Sequence, residues 1–150
     1  VTDALTFAVL APTLYAAHHV GDYWVQTHHQ ALTKGKPRRE GQVACLRHVV
    51  TYTATTALFT ALVWALFDLD VTWYGFVAGQ LASAVTHYWA DRRTPLLRLA
   101  DVLGKGDFAR LGVPRSGHDD NPTLGTGATA LDQAWHHLWL WIAALLTALI

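Results

Sequence analysis

Three pairings of histidine with aspartate recur at a spacing of four residues: His18 with Asp22 in HHVGDYWVQ, His87 with Asp91 in HYWAD, and Asp132 with His136 in DQAWH. Residues four apart share one face of an α-helix, with Cβ atoms about 5–6 Å from each other. An imidazole and a carboxylate so placed can bind one metal ion together, or the carboxylate can orient the imidazole from behind. His48, in LRHVVTY, adds a single imidazole, and Gln26 stands four residues beyond Asp22. Mixed nitrogen and oxygen donors favour Zn, Mn or Fe over Ca or Mg. The candidate metal ligands are therefore His18, Asp22, His48, His87, Asp91, Asp132 and His136. The implied cofactor is a divalent transition metal, one ion or two, with Zn first and Mn or Fe as alternatives. With ionised aspartates and neutral histidines, one ion leaves a net charge of minus one on this set and two leave plus one. The competing reading is that the His/Asp pairs are hydrogen-bonded glue between helices.

Four segments are long and apolar enough to carry these residues: about Ala4 to Gln26, Val43 to Phe67, Val71 to Ala90, and Leu131 to Ile150. Each approaches the roughly 20 residues that a helix needs to cross a bilayer core. The chain is 52% apolar and only 15% charged, whereas a soluble domain usually carries about a quarter charged residues. One hundred and fifty residues fit a single domain. All eleven Lys and Arg residues fall in two stretches, Lys34 to Arg47 and Arg92 to Arg115. In an up-and-down four-span chain those two connections lie on one side, and positive loops are retained in the cytoplasm. The sequence thus predicts an all-α, four-span transmembrane bundle with both termini outside and both basic loops inside. His18 and Asp22 end the first span, His48 starts the second, His87 and Asp91 end the third, and Asp132 and His136 start the fourth. Antiparallel packing brings all seven to the cytoplasmic side. Carboxylates inside a membrane are costly and usually mark function.

The remaining features carry less. Leu96, Leu97, Leu99, Ala100, Val102 and Leu103 predict a short amphipathic helix along the membrane surface, followed by a Gly-rich loop, GHDDNPTLGTG. His118, Asp119 and Asp120 could reach the site from that loop, and Leu124 to Gly127 could approach an anion. His19 and His137 adjoin candidate ligands but point about 100° away around the helix, as the 3.6-residue turn requires. His28 and His29 read as solvated, and Cys45 as core packing. Trp24, Trp73, Trp89 and Trp135 suit an interfacial belt. The first span has no basic leader or small-residue cleavage site and reads as a retained helix rather than a signal peptide. A net charge of zero gives no footprint for nucleic acid.

On these residues the chain resembles domain-of-unknown-function family 3307, small membrane proteins of bacteria and phages. That family shows H-x-x-G-D-[FY]-x-x-Q near its start, a single His opening the next helix, an H-x-x-x-D pair and a closing L-D-Q-x-x-H. The matching stretches here are His18 to Gln26, His48, His87 with Asp91, and Leu131 to His136. The resemblance covers nearly the whole chain and implies a bacterial inner-membrane protein, without an activity. A looser similarity to membrane-bound metal-dependent hydrolases implies hydrolysis.

The expected function is accordingly a metal-dependent hydrolase of a phosphorylated or ester-linked membrane lipid at the cytoplasmic face. Asp91 and Asp132 are the candidate catalytic carboxylates. Gln26 and Gln133 would orient ligands or substrate, and Arg92 and Arg93 would hold a lipid phosphate. A di-iron-type oxidase could use the same ligands, although such sites are richer in Glu and the only Glu here is Glu40. A metal-binding transport, sensing or interaction protein is the other alternative. Four short spans leave little room for alternating access, so transport would call for a homo-oligomer.

Overall fold

In the computed structural model, which describes residues 2–113 and 126–150, every element is helical. The long helices are α1 (Thr2–Val20), α3 (Arg38–Phe67), α4 (Trp73–Asp91) and α7 (Gly127–Leu149). Between them lie a π-helical turn (Gly21–Val25) that continues α1, and the short helices α2 (His28–Thr33), α5 (Thr94–Val102) and α6 (Gly106–Ala109). All four apolar segments expected from the sequence are thus helices, and α5 coincides with the expected amphipathic stretch. It buries Leu96 and Ala100 while Val102 faces outward. His118, Asp119, Asp120, Leu124 and Gly125 lie outside the described residues.

Length and apolarity together qualify one described helix, α3, to cross a membrane. The helices α1, α4 and α7 have 19, 19 and 23 residues, but the polar residues they bring to the interior lower their hydropathy. The bundle of four long helices is present; on this criterion only one of its members is a candidate span.

The polarity of the bundle runs from one end to the other. Around the turn that joins α3 to α4, Leu10, Leu14, Leu69, Val71, Leu140, Ala143 and Ala144 form a buried apolar cluster. Asp68 adopts a left-handed φ of 47° to end α3, and the Thr72 hydroxyl accepts from the Gly75 N–H to start α4. Midway along, the Thr56 hydroxyl donates to Gln80 Oε1 at 2.7 Å, and Gln80 Nε2 reaches Thr60 at 3.5 Å. Beyond that layer come the histidines.

Helices α4 and α7 make the most extensive pairing in the bundle. Gly75, Gly79 and Ser83 repeat every fourth residue along α4 and are all buried. A Cβ at Gly75 would lie 2.8 Å from the Thr147 carbonyl oxygen, and one at Gly79 would lie 2.8 Å from that of Ala143. Small residues at this spacing let two helix backbones meet closely, as in membrane helix pairs. Apolar residues also face outward while part of the interior is polar: Leu58 is 66% exposed and Val85 65%, while Thr6, Thr56 and Thr60 are buried.

Candidate metal centre

Four helix ends deliver the site. His18 closes α1, and the π-helical turn behind it carries Asp22; the Gln26 N–H donates to the Gly21 carbonyl at 3.0 Å, the five-residue step of a π-helix. Such single turns recur at functional sites. Gly21 is required there because a Cβ would stand 2.9 Å from the ring of Tyr52. The Tyr52 ring in turn stacks on His87, centroids 3.8 Å apart, and its hydroxyl meets Ser83 Oγ at 3.1 Å. Packing therefore fixes the His87 ring.

Four donor atoms converge. His48 Nε2 and His87 Nε2 are 3.0 Å apart. Asp22 Oδ1 lies 3.3 Å from the first and 3.4 Å from the second. Asp91 Oδ2 lies 3.2 Å and 3.3 Å from the same two nitrogens. Donor atoms at neighbouring positions around an ion with bonds of about 2.0–2.2 Å stand about 2.8–3.6 Å apart, by octahedral or tetrahedral geometry. The five separations fall in that range. Both carboxylate oxygens are buried without a hydrogen-bond partner, so their approaches to imidazole lack hydrogen-bond alignment. A hydrogen bond between the two nitrogens would still leave both carboxylate oxygens without a donor, an environment suited to a cation. Asp22, His48 and His87 could together hold a metal ion, with Asp91 Oδ2 beside the same two nitrogens.

His136, Asp132 and the other oxygen of Asp91 form a second group beside the first. His136 Nε2 lies 3.6 Å from Asp132 Oδ1 and 3.8 Å from Asp91 Oδ1. His18 joins from the side, with Nε2 3.7 Å from Asp22 Oδ2 and 3.3 Å from Gln133 Oε1. His18, His48, His87, Asp91 and His136 are buried; Asp132 is partly open. All seven ligands expected from the sequence thus meet at one end of the bundle.

An open cavity of about 610 Å³ adjoins this end, with Asp22, Asp91, Asp132 and Lys34 in its wall. Gln26, Gln133 and Arg93 also face it, together with Leu96 and Leu97 of α5. The Gln133 amide donates to Asp132 Oδ2 at 3.4 Å, so Gln133 bridges His18 and Asp132. Arg92 serves the scaffold: its guanidinium donates to the carbonyls of Lys34 at 2.5 Å and Lys36 at 2.7 Å. Arg93 donates to the Ala31 carbonyl at 3.2 Å while lining the cavity.

Lys34 also reaches the site, a placement that its position in a basic cluster concealed. Its Nζ lies 2.8 Å from Asp91 Oδ1, with 9% of the residue exposed. The signal for this lies in Thr27–Gln30, a capping box in which the Gln30 N–H donates to the Thr27 hydroxyl and the Thr27 N–H donates to Gln30 Oε1. That box starts α2, which folds Lys34 back over the site. His28 and His29 are exposed, as expected. Cys45 is buried, its thiol 3.7 Å from the Tyr88 carbonyl. His19 and His137 stack on each other, centroids 5.7 Å apart, and with His18 form a further group that could hold a metal ion. Trp24 and Trp73 are exposed, whereas Trp89 and Trp135 stack as a pair at 4.6 Å.

No protein-family model matches the chain, and no curated protein or solved structure matches it.

Proposed function

We propose that this protein is a four-span membrane hydrolase that uses a divalent transition metal, Zn first, against a phosphorylated or ester-linked lipid. The observation that carries the reading is the convergence of Asp22 Oδ1, His48 Nε2, His87 Nε2 and Asp91 Oδ2 beside an open cavity. The His/Asp pairs read from the sequence agree with this placement, and hydrolysis is the reaction that a metal centre beside an open cavity suits.

The membrane reading draws on inverted polarity. A bundle that buries Thr56, Thr60, Gln80 and Ser83 while exposing Leu58, Leu62, Leu81 and Val85 is suited to lipid around it. At 1.5 Å per residue, the 19 residues of α1 and of α4 extend about 28 Å, near the hydrocarbon thickness. The two basic stretches then lie on the cytoplasmic side with the metal centre, and both termini lie outside.

A bound metal would lower the pKa of a water and polarise a phosphoryl or carbonyl oxygen. Asp132, on the cavity wall with 30% of its side chain exposed, is placed to take the proton from that water. The Gln133 amide donates to its Oδ2, and His136 Nε2 stands 3.6 Å from its Oδ1. Leu96 and Leu97 offer an apolar wall for an acyl chain, and Arg93 a positive charge for the headgroup.

The test is hydrolysis of lipid phosphates and esters in mixed micelles by full-length protein, with and without chelator. Asp91→Asn keeps the side chain's size but weakens it as a ligand, and should lower the rate by about 10²–10⁴-fold. Fully metallated protein that turns over none of a broad panel would contradict hydrolysis and leave a binding or transport role.

A further inference from the structure

Asp91 uses its two oxygens differently. Oδ2 faces His48 and His87, whereas Oδ1 faces the Lys34 ammonium at 2.8 Å and His136 Nε2 at 3.8 Å. A carboxylate that turns one oxygen to each of two neighbouring sites commonly bridges two metal ions, as in dinuclear helical-bundle centres. The second site has its own ligands, since Asp91, Asp132 and His136 bring donor atoms within 4.8 Å of one another. His136 Nε2 is buried there without a hydrogen-bond partner. Lys34, however, already supplies a cation to the shared carboxylate.

Charge favours the same division. Asp22, Asp91 and Asp132 contribute three negative charges, and Lys34 returns one positive charge. Two negative charges remain, which one divalent ion neutralises; a second ion would leave the buried site with an excess of two positive charges. A site of this burial penalises uncompensated charge of either sign.

Resting on the metal reading above, we propose that the centre is a dinuclear scaffold run with one metal ion, in which the Lys34 ammonium takes the place of the second. The metal occupies the set formed by Asp22, His48, His87 and Asp91. Lys34 holds the outer oxygen of Asp91 and stands in the cavity wall, where a phosphoryl oxygen would otherwise meet the second ion. Asp132 and His136 are thereby left free of metal for proton transfer.

The experiment is zinc stoichiometry by elemental analysis of the detergent-purified full chain, equilibrated with Zn and stripped of weakly bound ions. Wild type and Lys34→Arg should each hold one equivalent. Lys34→Met, which removes the charge but keeps an unbranched side chain, should hold two, and adding Asp132→Ala should return it to one. Asp132→Ala in the wild-type background should leave the single equivalent in place, a readout that does not depend on the Lys34 variants folding. Two equivalents in wild type would overturn the proposal, as would one in a folded Lys34→Met or loss of the ion from Asp132→Ala. No bound zinc in wild type would overturn the metal reading itself, and is thereby distinguished from failure of the Lys34 assignment.

Discussion

The Nε2 atoms of His48 and His87 face each other across 3.0 Å between α3 and α4, with a carboxylate oxygen on either side. A shared proton could join the two nitrogens, but it would leave Asp22 Oδ1 and Asp91 Oδ2 buried without donors. One cation could serve Asp22 Oδ1 and both nitrogens together, with Asp91 Oδ2 at 3.2 Å and 3.3 Å from the same nitrogens. Replacing His48 or His87 with Ala should therefore lower the metal content of purified protein at least several-fold, while His28→Ala, on the exposed start of α2, should not change it. Retention of metal by both His48→Ala and His87→Ala would place the ion elsewhere.

The Arg92 guanidinium ties the loop carrying Lys34 to the end of α4 by two hydrogen bonds to carbonyls. Bonds to a charged group contribute about 1.5–3 kcal/mol each. Arg92→Ala should lower the thermal midpoint by about 5 °C or more, using about 2–4 °C per kcal/mol for a chain of this size. Arg92→Lys should recover only part, because an ammonium lacks the planar fork that spans two carbonyls. An unchanged midpoint in Arg92→Ala would show that the loop is held by other means.

Close approach of α4 and α7 depends on Gly79, whose added Cβ would meet the Ala143 carbonyl oxygen at 2.8 Å. Gly79→Ala should destabilise the bundle by about 1–3 kcal/mol, the usual range for overpacking, and Gly79→Leu should abolish monodisperse folded protein. Wild-type melting of Gly79→Leu in detergent would mean that the seam is looser than the backbone contact implies.

Topology can be read directly. Reporter fusions near Lys36 and Lys105 should report the cytoplasm, and fusions near Asp70 or after Ile150 the outside. A cytoplasmic Asp70 fusion would contradict the four-span reading and the membrane depth assigned to the site.

The helices and their alternating direction were legible because the His/Asp pairs and apolar runs repeat at helical spacing. From that alone, His18, His48, His87 and His136 could be assigned to one end of the bundle. What stayed hidden depends on contacts distant in sequence. Nothing in the run from Lys34 to Arg39 distinguishes the one lysine that α2 folds inward from its exposed neighbours. The main-chain contacts of Arg92 and Arg93 stayed hidden for a related reason: a guanidinium that satisfies main-chain carbonyls reads in sequence like one awaiting a phosphate. The part played by Tyr52 has no signal in the sequence, because its stacking on His87 beside Gly21 brings together three separate elements. Apolarity and length alone qualify only α3 of the described helices as a span, since polar residues, those of the site among them, lower the hydropathy of α1, α4 and α7.

The central claim is that Asp22, His48, His87 and Asp91 hold one ion, and X-ray absorption at the zinc edge of the purified, zinc-loaded protein tests it most directly. The account predicts a shell of nitrogen and oxygen only, at about 2.0–2.2 Å, with outer scattering from two imidazoles. In His87→Ala the imidazole scattering should fall by half or the ion should be lost. A sulfur shell from Cys45, imidazole scattering unaltered in His87→Ala, or zinc surrounded by water alone would contradict it.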